Sequence, residues 1–454
     1  MTGLNHNIRH THGFQDLRVE GALPDGLRGT LYRVGPGLVK KFGQKVHPFL
    51  ADGLITAVDI SAQPQGACEL VKSEKYLEEE RLGRDLYSPN ASRLRRLYNG
   101  LTGKVKNTGN TNVLPWQGRL FALMEQGQPV EFDTTNLTTL GSRDLGIIQG
   151  SFSAHPHRVE RLKTTFNFGI SKRDIIVYAL PDHGEISVLC RFQAPWASLI
   201  HDFCVTDRHV LFFIDPGKLV IWRAILGGKD FSKYFYWDET ASSTIIVIPL
   251  NAPEDQTRIE VDPFRVWHFA NAFERGNEII VDAFRHENID IMKSPTQAPE
   301  PGQIADPELF RFSINPGSKK FGSEKLAEGA SEFPVVNPHF AGAEHRYIWM
   351  QIYKDAGGNE GFGRYDLKTG ERLRYEVPDG HFTSEAMFVP RDDNGGDEAS
   401  GWVLQMTKDG AADCSFLGIY DAARIGDPPV AKLWFDQAIP ATFHGSFVPA
   451  AGSK

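Results

Sequence analysis

The chain has 454 residues, of which 41% are hydrophobic and 23% charged, a balance typical of globular proteins. Its net charge of −8 argues against a nucleic-acid binder, because such proteins need a basic face. No stretch approaches the roughly 20 apolar residues that span a bilayer, and the first residues lack the apolar core of a signal peptide. We therefore expect a cytoplasmic protein without nucleic-acid partners. The scattered cysteines, Cys68, Cys190, Cys204 and Cys414, are expected to be reduced thiols.

Short β-type segments dominate the chain. Clear examples lie at residues 211–214, 244–248, 278–281, 346–352 and 401–405. Turn-forming residues separate such segments at 215–217, 275–277, 378–380 and 392–397. With 44 glycines and 27 prolines, long helices are not expected over most of the length.

A loose repeat joins some of these segments. Residues 201–213 and 268–281 both start at a histidine, continue through a turn with a charged residue and end in an apolar strand. The spacing between such landmarks, about 45–65 residues, suits four-stranded propeller blades better than solenoid repeats. This pattern predicts an all-β protein and leaves both a propeller and a sandwich open.

Two segments break the β pattern. Residues 92–98 and 218–226 mix basic with apolar side chains, and the second is followed by the aromatic stretch 231–237. One interpretation is a capping helix and a loop that faces the core. The other is peripheral contact with a membrane surface, which amphipathic basic and aromatic segments can make without spanning the bilayer.

Four histidines each open or close a strand-like segment, namely His155, His201, His268 and His444. Three carboxylates lie between them in apolar surroundings, namely Glu125, Glu332 and Glu385. Neutral imidazoles suit iron, copper, zinc or nickel, and a ligating imidazole commonly donates its other N–H to a carboxylate. Since the chain has 15 histidines, these four alone would support a metal site only weakly.

The surroundings of these residues, taken in order, resemble those of the carotenoid cleavage oxygenase family. The resemblance extends from Leu-Arg-Gly-Thr-Leu-Tyr-Arg-Val-Gly-Pro-Gly at 27–37 to Phe-His-Gly at 443–445. It implies a seven-bladed β-propeller with a loop-and-helix cap over an iron site. We expect residues 1–454 to form this single domain, with candidate membrane-contact segments near 85–105 and 217–237.

The same resemblance implies that the four histidines hold one iron(II) ion, Fe2+, and that the three glutamates brace them. It pairs Glu125 with His201, Glu332 with His268 and Glu385 with His444, and it leaves His155 without a carboxylate. His157 competes with His155 because the chain has His-Pro-His there, and the family pattern favours His155. Four neutral ligands would leave two octahedral positions open for dioxygen and substrate.

Three further residues are expected to line the substrate site or an open metal position, namely Thr111, Met124 and Trp267. Thr111 falls where the family places a small side chain beside the metal. Trp267 falls where it has an aromatic wall residue, and a tryptophan of the propeller core is the alternative. Stilbene-cleaving members carry a lysine and a tyrosine that grip a phenol, and this chain has Met124 and Leu101 at the corresponding places.

The sequence therefore predicts an iron(II) dioxygenase that cleaves a conjugated C=C bond of a carotenoid or apocarotenoid with O2. Its partners would be O2 and an apolar polyene, with peripheral membrane contact as a further expectation. The alternatives are a stilbenoid- or phenylpropenoid-cleaving oxygenase, isomerohydrolase chemistry, for which nothing specific speaks, and a propeller that only binds a ligand.

Overall fold

The computed structural model describes residues 6–220, 222–223, 231–290, 306–354, 358–391 and 396–450. These ranges form seven antiparallel sheets of four or five strands and two short two-stranded sheets. The inner strands of all seven large sheets line one axial cavity. The molecule is thus a seven-bladed β-propeller, as predicted, and the sandwich alternative is wrong.

We number the blades 1 to 7 and give the strands of each from the axis outwards. Blade 1 contains Gly445–Pro449, Gly29–Leu38, Asp52–Ile60, Gln65–Leu70 and His12–Asp16. Blade 2 contains Asn112–Trp116, Arg119–Leu123, Val130–Phe132 and Thr139–Ser142. Blade 3 contains His157–Val159, Thr164–Ser171, Asp174–Pro181 and Ser187–Gln193. Blade 4 contains Cys204–Val205, His209–Ile214, Ser243–Pro249 and Thr257–Val261.

The remaining blades follow the same plan. Blade 5 contains Arg265–Arg275, Glu278–His286, Glu308–Asn315 and Lys320–Ala327. Blade 6 contains Ser331–Val335, Tyr347–Lys354, Gly358–Asp366 and Arg372–Glu376. Blade 7 contains His381–Pro390, Gly401–Asp409, Cys414–Asp421, Ala431–Trp434 and Arg18–Gly21. The two-stranded sheets pair Lys40–Lys41 with Gln44–Lys45 and Gly217–Leu219 with Phe235–Trp237.

The ring closes where the two ends of the chain meet. Strand Gly445–Pro449, from the C-terminal end, forms the inner strand of blade 1 against Gly29–Leu38. Strand Arg18–Gly21, from the N-terminal end, forms the outer strand of blade 7 against Ala431–Trp434. A shared apolar cluster packs between these two blades and includes Leu31, Leu54 and Leu404. Closure therefore combines backbone pairing in two blades with burial of apolar side chains between them.

Two α-helices lie in the connection between blades 1 and 2, α1 at Glu74–Leu82 and α2 at Arg93–Thr102. Each starts at a serine whose side chain accepts from the first turn and ends at a glycine in the left-handed conformation, which is the favoured pattern of helix caps. Short 3-10 turns occupy Pro48–Leu50, Glu160–Leu162, Phe231–Tyr234, Pro338–Phe340 and Ala422–Arg424.

A buried charge cluster fixes α1 to blade 1. The ammonium group of Lys106 lies 2.6 Å from Asp52 and 2.9 Å from Glu79. Lys41 lies 3.0 Å from Asp52 on the other side. Because these groups are largely removed from water, each charge needs its partners. The early block 49–53, which contains Asp52, thus has a structural role.

The predicted strand segments all fall on strands of the propeller, with only Arg346 lying one residue outside its strand. The segment 92–98 is the helix α2 and its N-cap. The segment 217–237 begins with the strand Gly217–Leu219 and ends with the strand Phe235–Trp237. Its residues 221 and 224–230 lie outside the described residues. No helix in the described ranges is long and apolar enough to cross a membrane. The extent of the domain, 1–454, stays a prediction.

The closing strand gives a test of the fold. A methyl group at Gly445 would collide with the backbone oxygen of Tyr32 on the paired strand. We expect Gly445→Ala to lower the free energy of unfolding by about 1–3 kcal/mol, measured by urea unfolding. Gly13→Ala is the matched control, since a methyl group there meets no atom within 4 Å. Equal losses in the two variants would contradict this account of closure.

Candidate metal centre

Each of the seven blades contributes one polar residue to the axis. Four are histidines that stand in or directly before inner strands, His444 for blade 1, His155 for blade 3, His201 for blade 4 and His268 for blade 5. Three are glutamates, Glu125 after the second strand of blade 2, Glu332 in blade 6 and Glu385 in blade 7. The structure therefore brings all seven predicted residues together at the axis, although they are spread over 320 positions of the sequence, from Glu125 to His444.

The four histidine rings face one another. All four are buried, with 5–8% of their surface exposed, and one nitrogen from each lies within 4.8 Å of the others. The Nε2 atoms of His201 and His268 are 3.1 Å apart. The ring of His155 lies 4.2 Å from that of His201 and 4.6 Å from that of His444, measured between centroids. This is the grouping of imidazoles that a transition metal requires.

The glutamates lie on the far side of three of these rings. Nδ1 of His268 is 2.6 Å from Glu332, and Nδ1 of His444 is 2.8 Å from Glu385. Nδ1 of His201 is 2.6 Å from Glu125. At His268 and His444 the contact is a hydrogen bond, so Nδ1 is the N–H donor and the lone pair is left on Nε2. The contact of His201 with Glu125 is a close approach in which this Glu125 oxygen has no hydrogen bond. These are the three pairs expected from the sequence, and the glutamates bind no other nitrogen of the four rings.

Burial and charge set the protonation of the group. Burial lowers the pKa of His155 and of His201 well below the ordinary imidazole value, and the neighbouring histidines add to the shift. Burial also lowers the pKa of His268, but Glu332 outweighs it and the net shift is upward. Burial raises the pKa of Glu332, whereas His268 and His286 lower it, and the pKa lies at about 2. Burial also raises the pKa of Glu125 well above the ordinary carboxyl value. Because a histidine binds metal as the neutral imidazole, a metal ion at His268 must displace the proton that Glu332 favours there.

The donor atoms fit a cation at the axis. Nε2 of His201 and Nε2 of His268, 3.1 Å apart, repel each other if both carry lone pairs, unless a positive charge lies close to both. Nε2 of His155 is buried and has no hydrogen-bond partner among the described residues, although buried polar atoms are normally satisfied. One metal ion, which these four histidines would hold, fits both observations.

Two of the glutamates have a second partner that the sequence did not reveal. The other oxygen of Glu385 accepts from Arg33 at 2.9 Å, and Arg33 is 1% exposed. The other oxygen of Glu332 is 2.8 Å from Nε2 of His286. Each of these partners holds its carboxylate in place from behind, since a hydrogen bond to an ionised carboxylate is strong and directional. Arg33 lies in the block 27–37, where its burial between apolar strand residues was the available signal.

Phe333 packs against two of the histidine rings. Its ring lies 4.8 Å from that of His268 and 5.3 Å from that of His444. Its φ is 54°, a strained conformation for a bulky residue, and the pairing register shifts between Glu332 and Val335. Such strain costs about 1–3 kcal/mol and is concentrated at functional sites. The bulge lets two successive residues, Glu332 and Phe333, both contact the histidines.

A cavity of about 250 Å³ continues from the histidines along the propeller axis. Its wall includes His155, His268, His444 and Gly342. His157, the alternative ligand in the sequence, lies in this wall and not in the histidine group. Its Nε2 is 2.7 Å from Asp202.

The three residues expected near the substrate, Thr111, Met124 and Trp267, each contact different neighbours. Thr111 accepts a backbone hydrogen bond from His444 at 3.0 Å. The sulfur of Met124 accepts from the backbone of Thr108 at 3.1 Å. The ring of Trp267 stacks on that of His201 at 4.1 Å and is 6% exposed. Contact of these three side chains with a substrate or an open metal position stays a prediction.

Leu101 does not line the centre. It lies on α2 and is 75% exposed, which is unlike a residue that grips a buried phenol. Leu101 therefore does not occupy the place of the phenol-gripping tyrosine, and that expectation is wrong. The residue before Glu125 is Met124 and not a lysine, which holds whatever the position of Leu101.

Residues 6–449 match the family model described as RPE65, Retinal pigment epithelial membrane protein. The chain belongs to this family. It is 31% identical to the apocarotenoid-15,15'-oxygenase of Synechocystis sp., over 94% of this chain and 92% of that protein. It is 28% identical to resveratrol cleavage oxygenase 1 of Aspergillus fumigatus, over 95% and 92%.

A solved structure extends the comparison to three dimensions. Cobalt-substituted Synechocystis apocarotenoid oxygenase superposes on this RPE65-family chain with a TM-score of 0.89 and 28% identity, covering 98% of each chain. The propeller fold is thus shared over nearly its whole length. That a relative carries cobalt agrees with a metal site in this family and does not identify the metal here.

The glutamate contacts give a test of the centre. Glu385→Gln keeps the size of the side chain but weakens the bond to Nδ1 of His444, so the affinity for a divalent metal should fall about 10- to 100-fold. Metal titration by calorimetry measures the change. Adding His444→Ala should then lower affinity no further than His444→Ala alone, because both changes act through one ligand.

The matched control is Glu398→Gln. Glu398 is a buried glutamate that accepts from the backbone of Arg346 and Tyr347, outside the histidine group. It should bind metal like the unchanged protein. Unaltered affinity in Glu385→Gln would show that this carboxylate does not support His444.

Proposed function

We propose that the protein is an iron(II)-dependent dioxygenase that cleaves a conjugated C=C bond of a carotenoid or apocarotenoid. One O2 is consumed, and each of the two carbonyl products receives one of its oxygen atoms. The observation that carries this proposal is a group of four buried histidines, backed by three glutamates, in a chain of the RPE65 family. Relatives named for apocarotenoid and carotenoid cleavage support the substrate class.

The metal ligands in this proposal are His155, His201, His268 and His444. Affinity order alone would favour copper over iron, so the choice of Fe2+ rests on the geometry of four imidazoles and on metal supply. Iron(II), when bound, supplies the electrons that make dioxygen reactive toward an olefin. The three glutamates keep the rings of His201, His268 and His444 oriented, and the negative charges of Glu332 and Glu385 offset that of the metal.

The protein's other contribution is an apolar, aromatic setting for a polyene. Trp267 stacks on His201, and Phe49 stacks on Trp267 at 6.1 Å and meets Phe443 at 5.5 Å. Aromatic walls bind a long apolar chain without leaving polar atoms unpaired. In this proposal Trp267 and Met124 contact the polyene, and Thr111 restricts what binds beside the metal. No protein acid or base is required, because cleavage of the olefin transfers no proton to or from the protein.

A stilbenoid is the second candidate, since one relative is named for resveratrol cleavage. A phenol hydroxyl buried without a partner costs about 1–3 kcal/mol. Met124 offers only a weak acceptor next to Glu125, and its sulfur already accepts from Thr108. This disfavours phenolic substrates. A propeller that merely binds a ligand would have no use for a complete set of histidines and glutamates.

The substrate assignment is tested by products. The iron-loaded protein is incubated with carotenoids, apocarotenals and 4-hydroxystilbenes, and aldehydes are identified by mass spectrometry. We expect cleavage of at least one apocarotenoid and a rate at least about fivefold lower with every stilbene, from the unpaired phenol. The His444→Ala protein serves as the inactive control. Efficient cleavage of resveratrol-like compounds beside inert carotenoids would reverse the assignment.

We also propose that the helix α2 makes peripheral contact with membranes, where an apolar polyene would be dissolved. Leu94 and Leu101 on this helix are 82% and 75% exposed, which is unusual for large apolar side chains. Arg93, Arg95 and Arg96 lie on the same helix and can attract anionic headgroups. Trp222, in the second expected segment, is 62% exposed.

Co-sedimentation with vesicles tests this contact. The double variant Leu94→Glu with Leu101→Glu should bind vesicles of phosphatidylcholine and phosphatidylserine at least about fivefold more weakly, because two apolar anchors are replaced by charges. Leu140→Glu is the control, since Leu140 is 48% exposed on the outer strand of blade 2. If both proteins bind alike, or if the unchanged protein does not bind, α2 has no such role.

A further inference from the structure

Asp202 is a buried carboxylate next to a ligand histidine. It is 6% exposed and accepts three hydrogen bonds. Oδ1 accepts from Nε2 of His157 at 2.7 Å and from the backbone of Phe203 at 2.8 Å. Oδ2 accepts from the backbone of Phe269 at 3.0 Å. The metal centre described above, with its four histidines and three glutamates, assigns no role to Asp202.

The donors to Asp202 all lie beside metal ligands in the chain. His157 is two residues after His155, Phe203 is two residues after His201, and Phe269 directly follows His268. These three segments enter the axis from blades 3, 4 and 5. The carboxylate of Asp202 therefore connects the three segments that carry His155, His201 and His268.

Asp202 also lies close to the ligand that has no glutamate. Its Oδ1 is 3.9 Å from Nδ1 of His155, which is too long for a direct hydrogen bond. At this distance in a buried site the negative charge still acts strongly on the imidazole. The other three ligands receive the same kind of support from Glu125, Glu332 and Glu385.

We propose that Asp202 is the fourth supporting carboxylate of the metal centre, a positioning residue that orients His155 and holds the segments of His155, His201 and His268 together. This inference rests on the proposed metal site. The centre then has one carboxylate for each histidine. Three of these carboxylates directly contact their histidine, and the fourth, Asp202, binds His157 and lies near His155.

The test compares Asp202→Asn with Asp282→Asn. Asp282 is likewise buried, binds Arg311 at 2.8 Å and lies 3.3 Å from His345, but it does not touch the four ligands. Cobalt(II) is the probe, because it is stable in air and its visible absorption reports ligand geometry. Affinity is measured by titration and calorimetry, and the melting temperature is recorded for every variant.

Asp202→Asn should bind cobalt about 10- to 100-fold more weakly, the range found when a carboxylate behind a ligand is lost, with a changed visible spectrum. Asp282→Asn should bind like the unchanged protein whatever its melting temperature. Normal affinity and spectrum in Asp202→Asn would overturn the role of Asp202 alone. Failure of the unchanged protein to take up one cobalt ion would overturn the metal site and this inference together.

A second pair of variants covers the case in which Asp202→Asn does not fold. His157→Phe keeps a ring but removes the donor to Asp202, and His157 is 30% exposed on its side chain, so the fold should tolerate the change. We expect weaker cobalt binding and an altered spectrum in His157→Phe, with both restored in His157→Gln, whose amide can donate at a similar place. Cobalt binding in His157→Phe that equals the unchanged protein would contradict the proposal.

Discussion

The hydrogen bond from an imidazole Nδ1 to a buried carboxylate is the interaction on which the centre depends. It decides which nitrogen carries the proton, and so directs the lone pair of Nε2 toward the axis. His268 and His444 make it at 2.6 Å and 2.8 Å. Without these carboxylates, the buried rings would be free to rotate or to exchange tautomers. The ligand atoms of the four histidines, which now lie within 4.8 Å of one another, would then no longer be held together.

The propeller explains how seven residues so distant in sequence are brought together. Each blade presents its inner part to the axis, so one residue in or near that part of each blade suffices to build a ring of ligands and supports. Two of the buried carboxylates have a second partner, Arg33 for Glu385 and His286 for Glu332, and these partners offset the cost of burying the charge.

Much of this was predictable from the sequence, for identifiable reasons. The four histidines, the three glutamates and their pairing were expected from the resemblance of their sequence surroundings, taken in order, to the carotenoid cleavage oxygenase family. Arg33, His286 and the proposed supporting residue Asp202 were not predicted, because they reach the centre through tertiary packing and carry no local signal beyond burial. The strained φ of Phe333 depends on a bulge, which the sequence of residues 331–335 does not indicate. The expectation for Leu101 was wrong because the connection between blades 1 and 2 contains no motif that fixes the position of this residue relative to the centre.

X-ray absorption at the iron edge tests the central claim most directly. The iron-loaded protein should show four imidazole nitrogens bound to iron and no carboxylate oxygen, because Glu125, Glu332 and Glu385 lie behind the ligands at Nδ1. The multiple scattering of imidazole rings allows these ligands to be counted. A spectrum with two or three imidazoles and a carboxylate oxygen would contradict the account, since it would place a glutamate on the metal itself.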